Sequence, residues 1–133
     1  MSVKAVIDTN VLVSAFLSKN QDSPTVRIAN AIFDERFIPV YSPDMIAEYT
    51  EVLGRDYLKL QTARVYALIR QIQASGEEAH PADSGEPFPD PDDKVFYCTA
   101  IAGDAKLVTG NMKHFPKANF IVTPAQFCEL LGI

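Results

Sequence analysis

The sequence predicts an α/β protein in which short parallel strands alternate with helices, and three observations predict it. Short apolar runs lack the strict alternation of a half-exposed strand, several helix starts carry the same cap-and-proline device, and two further stretches hold apolar residues at helical spacing. Val3 to Ile7 (Val-Lys-Ala-Val-Ile) is the first such run and suits a strand buried on both faces of a parallel sheet. Phe37 to Tyr41, Lys106 to Thr109 and Asn119 to Val122 are similar, so four strands are expected. Pro39 cannot donate to a ladder and makes the second run an edge or a strand end.

Helix starts are marked by a side-chain acceptor followed by proline at Ser23-Pro24, Ser42-Pro43, Asp90-Pro91 and Thr123-Pro124. The hydroxyl or carboxylate caps orphan N–H groups, and proline fits the first turn because it has no N–H to lose. Asn10 to Leu17 and Leu60 to Ala74 are two more helices; in the second, Val65, Leu68, Ile69 and Ile72 recur at helical spacing before Gly76. Such an order of elements implies right-handed crossovers and places any ligand at the carboxyl ends of the strands.

At 133 residues the chain has the size of one domain, and residues 1–133 are read as a single unit without repeats or linkers. No apolar run is long enough to span a membrane and no signal peptide opens the chain, so a cytoplasmic protein is expected. Cys98 and Cys128 lack zinc-site spacing and are read as buried thiols. The net charge of −5 argues at first against a nucleic-acid partner. Seven acids, however, fall between Glu77 and Asp93, where there is no Lys or Arg; the rest of the chain holds 12 bases against 10 acids. Glu77 to Glu86 is read as a solvated loop.

Four places could carry chemistry. Asp8 directly follows a buried strand, where α/β folds put reactive groups, although an N-cap for the next helix would also use it. Glu48 lies at the margin of the apolar stripe formed by Met45, Ile46, Tyr49, Val52 and Leu53, about 100° from its centre, while Asp44 and Glu51 point to solvent. Asp90, Asp92 and Asp93 open a helix that is apolar on nearly every side from Val95 to Ala102, and so buried along much of its length. The helix dipole accounts for one or two of these acids, but three in four residues repel one another unless a cation intervenes. Asn111 follows its strand much as Asp8 does, in a Gly-Asn pair that could be a plain turn. Lys113 and Lys117 would supply phosphate-contacting charge beside it, with Lys19 and Arg55 as further bases, and His114 is read as a surface residue.

Taken in order, VIDTNVLVSAF (Val6 to Phe16), Glu48 in its amphipathic helix, DPDDKVFYCTAIAG (Asp90 to Gly103) and KLVTGNMKHFP (Lys106 to Pro116) resemble the motifs of PIN-domain proteins. The likeness is to the VapC-like toxins of bacterial and archaeal toxin-antitoxin pairs, and it covers nearly the whole chain. It implies a three-layer fold, a short parallel sheet flanked by helices, and a Mg²⁺- or Mn²⁺-dependent ribonuclease. By position it makes Asp8, Glu48 and Asp93 the catalytic and metal-binding acids, with Asp92 able to share the role. Thr9, Asn10, Thr109 and Asn111 become supporting residues, and Lys113 and Lys117 contacts to the RNA backbone. Asn111 stands where the family has a fourth acid; it adds no charge and favours one metal over two. The resemblance also implies an RNA substrate, a cognate antitoxin and a homodimer.

Other classes fit less well. An aspartyl-phosphate phosphatase wants a second Asp two residues after the first, where Asn10 stands. A phospho-accepting signalling domain wants an early acidic pair, whereas Asp92 and Asp93 come late. A catalytically weak or inactive PIN-like module that binds RNA or protein is the non-enzymatic alternative, with Asn111 as its sign.

Overall fold

The structure, a computed structural model, describes residues 2–83, 85 and 87–133. Its strands are β1 (Lys4–Ile7), β2 (Ile38–Tyr41), β3 (Glu77–Glu78), β4 (Lys106–Val108) and β5 (Ile121–Val122). The helices are α1 (Thr9–Leu17), α2 (Pro24–Phe33), α3 (Pro43–Leu53), α4 (Thr62–Ser75), α5 (Pro91–Ala102) and α6 (Pro124–Leu131). Single 3₁₀ turns follow α3 at Asp56–Leu58 and β4 at Met112–His114.

All strand pairs are parallel and the sheet runs β3-β2-β1-β4-β5. The chain leaves β1 toward one edge through β2 and β3, then crosses back to build β4 and β5 on the other side. The order therefore reverses at β1, and the crevice between the carboxyl ends of β1 and β4 is the place where open α/β sheets receive ligands. Ala5, Val6 and Ile7 are all buried although successive side chains point to opposite faces, so helices cover the central strand on both sides. The fold is an α/β parallel sheet flanked by helices, the architecture expected from the sequence.

The four cap-and-proline starts hold at the atomic level. Ser23 accepts from Val26 N–H, Ser42 from Met45 N–H, and Asp90 from Asp92 N–H; Thr123 and Gln126 form a reciprocal capping box. Cys98 and Cys128 are free and buried. No helix among the described residues is long and apolar enough to cross a membrane.

Two expectations are corrected. Glu77 and Glu78 form a fifth strand instead of the start of a loop: Val40 and Tyr41 pair with them, Ala79 N–H donates to Tyr41 O, and Lys4 Nζ lies 2.8 Å from Glu77. Glu86 lies outside the described residues. Pro39 is in an internal strand, yet the physical reason for expecting an edge survives. Ile38 N–H donates toward β1, so by alternation the missing N–H of Pro39 faces the β3 side, where pairing begins only at Val40. Helix α5 is buried from Phe96 to Ala100, along much of its length as expected, and Ile101 beyond is 50% exposed.

Gly76 lets β3 approach. A Cβ there would lie 2.2 Å from Pro39 O and 2.4 Å from Ile72 O, both backbone atoms that cannot swing aside. Gly76→Ala is expected to push β3 off the sheet and destabilise the fold by roughly 1–3 kcal/mol, the usual cost of overpacking. Urea denaturation reads it, and an unchanged midpoint would show that the backbone there relaxes freely.

Candidate active site at the carboxyl ends of the central strands

The register of β1 on β4 sets Ile7 opposite Val108, so the next residues, Asp8 and Thr109, face each other across the crevice. Asp8 N–H donates to Val108 O, and the buried Thr109 hydroxyl donates to Asp8 Oδ2 at 2.8 Å. The same Thr109 oxygen accepts from Asn111 N–H at 3.0 Å, which draws the segment after β4 back to the crevice. Asp8 occupies the N-cap position of α1, but its side chain does not cap the helix. The carboxylate is committed to the crevice.

Only 5% of Asp8 is exposed, and burial pushes its pKa up to about 6. The Thr109 hydrogen bond opposes the shift, and the negative charge of Asp93 adds to it. Asp93 is itself raised, first by burial and then by Asp90, with His114 opposing; His114 Nδ1 lies 3.5 Å from Asp93 Oδ2. Glu48 is raised by burial, then by Asp92 and Glu51. The acids thus stand in two repelling pairs, Asp8 with Asp93 and Glu48 with Asp92. Lys94, the cation beside them in sequence, is engaged by Asp83 at 2.7 Å.

Tyr49 binds the second pair to the first. Its buried hydroxyl donates to Ile7 O, the last carbonyl before Asp8, and burial together with Asp8 and Glu48 raises its pKa well above that of a free phenol. It stays protonated as a donor, holding α3 against the end of β1 with Glu48 alongside. Asp44, Glu48 and Glu51 on α3 face Pro91, Asp92 and Val95 across a groove of about 400 Å³. Asp44 and Glu51 are exposed as expected, yet they belong to the wall of this acidic groove.

Two buried acceptors remain unsatisfied among the described residues, Thr9 Oγ1 and Asn10 Oδ1, in the first turn of α1 directly after Asp8. The Thr9 hydroxyl is directed toward Glu48 but makes no hydrogen bond of ordinary geometry. Orphaned buried oxygens of this kind ask for a water or an ion.

Carboxylates under mutual repulsion and beside unsatisfied oxygens, with the His114 imidazole at their margin, fit a hard divalent cation. Among the described residues no three His, Cys, Asp or Glu side chains close around one point. Mg²⁺ does not require that: it keeps several waters and is commonly held by one or two carboxylates plus phosphate. Asp8 and Asp93, which interact electrostatically, are the carboxylates available for that lesser demand.

Asn111, Lys113 and Lys117 are exposed on the segment after β4, and Lys19 is exposed after α1. Arg55 is paired with Glu51 at 2.9 Å. The site contacts of two residues escaped the sequence reading. Tyr49 is core as expected and also a donor to the end of β1, and His114, exposed as expected, stands three residues beyond Asn111 in the turn that returns to the crevice.

A parallel sheet with an acidic crevice at its switch point defines the class, an α/β protein with its candidate site at the carboxyl ends of the strands. The PIN domain matches residues 4–113, and the chain belongs to that family. No curated protein matches the chain closely. PIN domains are typically nucleases and generally use divalent metal ions.

The raised acids make a signed prediction about the metal-free protein. An acid whose folded pKa lies above its unfolded value, here about 6 for Asp8 against 3.8, binds more protons in the folded state between those values. Stability therefore falls as pH rises from about 4 to 6, by on the order of 3 kcal/mol from Asp8 alone, and stays low above. Asp8→Asn, which keeps an acceptor for Thr109, is expected to stabilise the protein in EDTA at pH 7.5 by roughly 1–3 kcal/mol and to flatten that slope. Thermal unfolding across pH 4–8 checks both; a variant less stable at neutral pH would contradict the account.

Proposed function

We propose that this chain is a metal-dependent endoribonuclease that hydrolyses RNA phosphodiester bonds, with Asp8, Glu48 and Asp93 as its catalytic acids and Mg²⁺ or Mn²⁺ as its cofactor. The observation that carries the reading is the buried Asp8 at the β1–β4 crevice, within electrostatic reach of Asp93, each acid raised first by burial and then by like charge that a cation would relieve. Asp8 and Asp93 would hold the metal, with Glu48 and Asp92 as the further acids of the site. When bound, the ion lowers the pKa of a coordinated water and stabilises charge developing on phosphate oxygens.

The chain's own residues do the positioning. Thr109 holds Asp8 Oδ2, so the carboxylate cannot rotate to cap α1. Tyr49 fixes α3 to the end of β1 and with it the approach of Glu48. Thr9 and Asn10 keep buried oxygens without a partner directly after Asp8, where a bound water or ion would satisfy them. Asn111 can accept from a water but adds no charge, which favours a single ion. Lys113 and Lys117, exposed beyond β4, would contact the RNA backbone, and a single-stranded or looped RNA is the substrate whose backbone can enter such a crevice.

The resemblance of the motifs to toxin sequences supports a biological role as the toxin of a toxin-antitoxin pair, with a cognate antitoxin that covers the crevice and a homodimer as the assembled form. One observation favours a second reading. Asn111 leaves the fourth family position neutral, as in a PIN-like module that holds RNA or protein without cutting it.

Cleavage of a labelled single-stranded RNA is expected with Mn²⁺ or Mg²⁺, abolished by EDTA and reduced at least 100-fold by Asp8→Asn or Asp93→Asn while the fold is kept. Persistence of cleavage in the purified Asp8→Asn protein would overturn the assignment. Mn²⁺ is expected to raise the melting temperature, and Glu48→Gln to diminish that rise. No shift with Mn²⁺ would favour the non-cutting module.

A further inference from the structure

On the opposite flank of α3 from the acidic groove lies a second, larger one, about 560 Å³, between α3, the turn at Asp56–Leu58 and α4. Leu53, Leu60 and Ile69 contribute its apolar lining, while Arg55, Lys59, Tyr66 and Arg70 bring three cations and an aromatic ring. Among the described residues Asp56 is the one acid in its lining. Tyr66 is 60% exposed, and the Arg70 guanidinium lies over its ring, 5.5 Å from the centroid. Among the described residues neither Lys59 nor Arg70 has a carboxylate partner. Exposed ring, stacked guanidinium and unpaired cations above an apolar lining match an unstacked base with its flanking phosphates.

The two grooves lie on opposite sides of one helix. Ile46 and Thr50 line the basic groove, and Glu48 and Glu51, from the other side of the same turns, line the acidic one. Arg55 belongs to the basic groove yet pairs with Glu51 of the acidic groove, so the polarity changes over the width of α3. A strand of nucleic acid entering the acidic groove would meet repulsion there without a cation, and would find positive anchorage on the other flank of α3, in addition to Lys113 and Lys117 beyond β4. An acidic peptide would satisfy the charges of the basic groove but gives no reason for its position beside the acids.

We propose that the α3–α4 groove is a subsite for single-stranded RNA, holding a base on Tyr66 and Arg70 and its phosphates on Lys59, Arg70 and Arg55, a few nucleotides from the acidic crevice. This deepens the ribonuclease reading and rests on it for the choice of RNA. The groove is a binding element, separate from the acids that would act on phosphorus.

The test is polarisation of a fluorescein-labelled single-stranded 12-nucleotide RNA on the full chain in EDTA, where no cleavage occurs. Tyr66→Ala, Arg70→Gln and Lys59→Asn are measured separately. Asn is chosen at Lys59 because the backbone there is left-handed, with φ of 54°, a conformation Asn tolerates. Tyr66→Ala is expected to weaken binding about 5- to 100-fold, the range for loss of one stacked base. Each lost phosphate contact should lower the slope of log K against log salt by about 0.7. Wild-type binding strength in all three variants, absence of binding by the wild type, or equal displacement of the RNA by an oligoglutamate peptide would overturn the subsite. The two readings separate cleanly: groove-dependent binding without metal-dependent cleavage supports the subsite and defeats the nuclease, and cleavage with binding indifferent to the groove does the reverse.

Discussion

A carboxylate held out of water at the end of the central strand is the constraint on which the arrangement of this molecule depends. Asp8 is there because β1 and β4 run in register, which sets Thr109 opposite it to donate the one strong hydrogen bond it receives from another side chain. That bond does not offset the desolvation, and Asp93 on α5 adds like charge. The fold tolerates the residue because the strands beneath are buried on both faces and the caps of four helices are satisfied locally. Stability is surrendered at the crevice, the usual sign of a place kept for a ligand.

Helix α3 distributes the charges around that crevice. Met45, Tyr49 and Leu53 pack into the core, Asp44, Glu48 and Glu51 face the acidic groove, and Ile46, Thr50 and Leu53 line the basic one. Tyr49 ties the helix to Ile7, so the position of both grooves is referred to the end of β1. Net charge is a poor guide to such a molecule. The whole chain is acidic at −5, yet a basic groove with three cations lies one helix away from its most crowded carboxylates.

Much of this was legible in the sequence because its causes are local. A cap followed by proline acts over four residues, and all four helix starts could be read directly. Asp8 was legible because a carboxylate after an apolar run has few explanations, and Glu48 because helical phase put it at the edge of a stripe. The strand at Glu77–Glu78 was not. Two consecutive glutamates have no preference for a sheet, and they are extended there because Val40 and Tyr41 offer free backbone groups and Gly76 permits close approach. His114 beside Asp93 was equally hidden, since 21 positions of sequence separate two side chains that a turn after β4 brings within 3.5 Å.

The amino-acid order thus determined the alternation of strands and helices, the helix starts, and the identity of the acids that stand at element ends, all of which follow from hydrogen bonds and hydrophobic periods within a few residues. Which acids repel one another, that Thr109 rather than α1 takes Asp8, and that α3 parts an acidic groove from a basic one were settled by folding. Those relations depend on strand register and helix packing between distant segments, and the energy of a charge depends on what surrounds it in space.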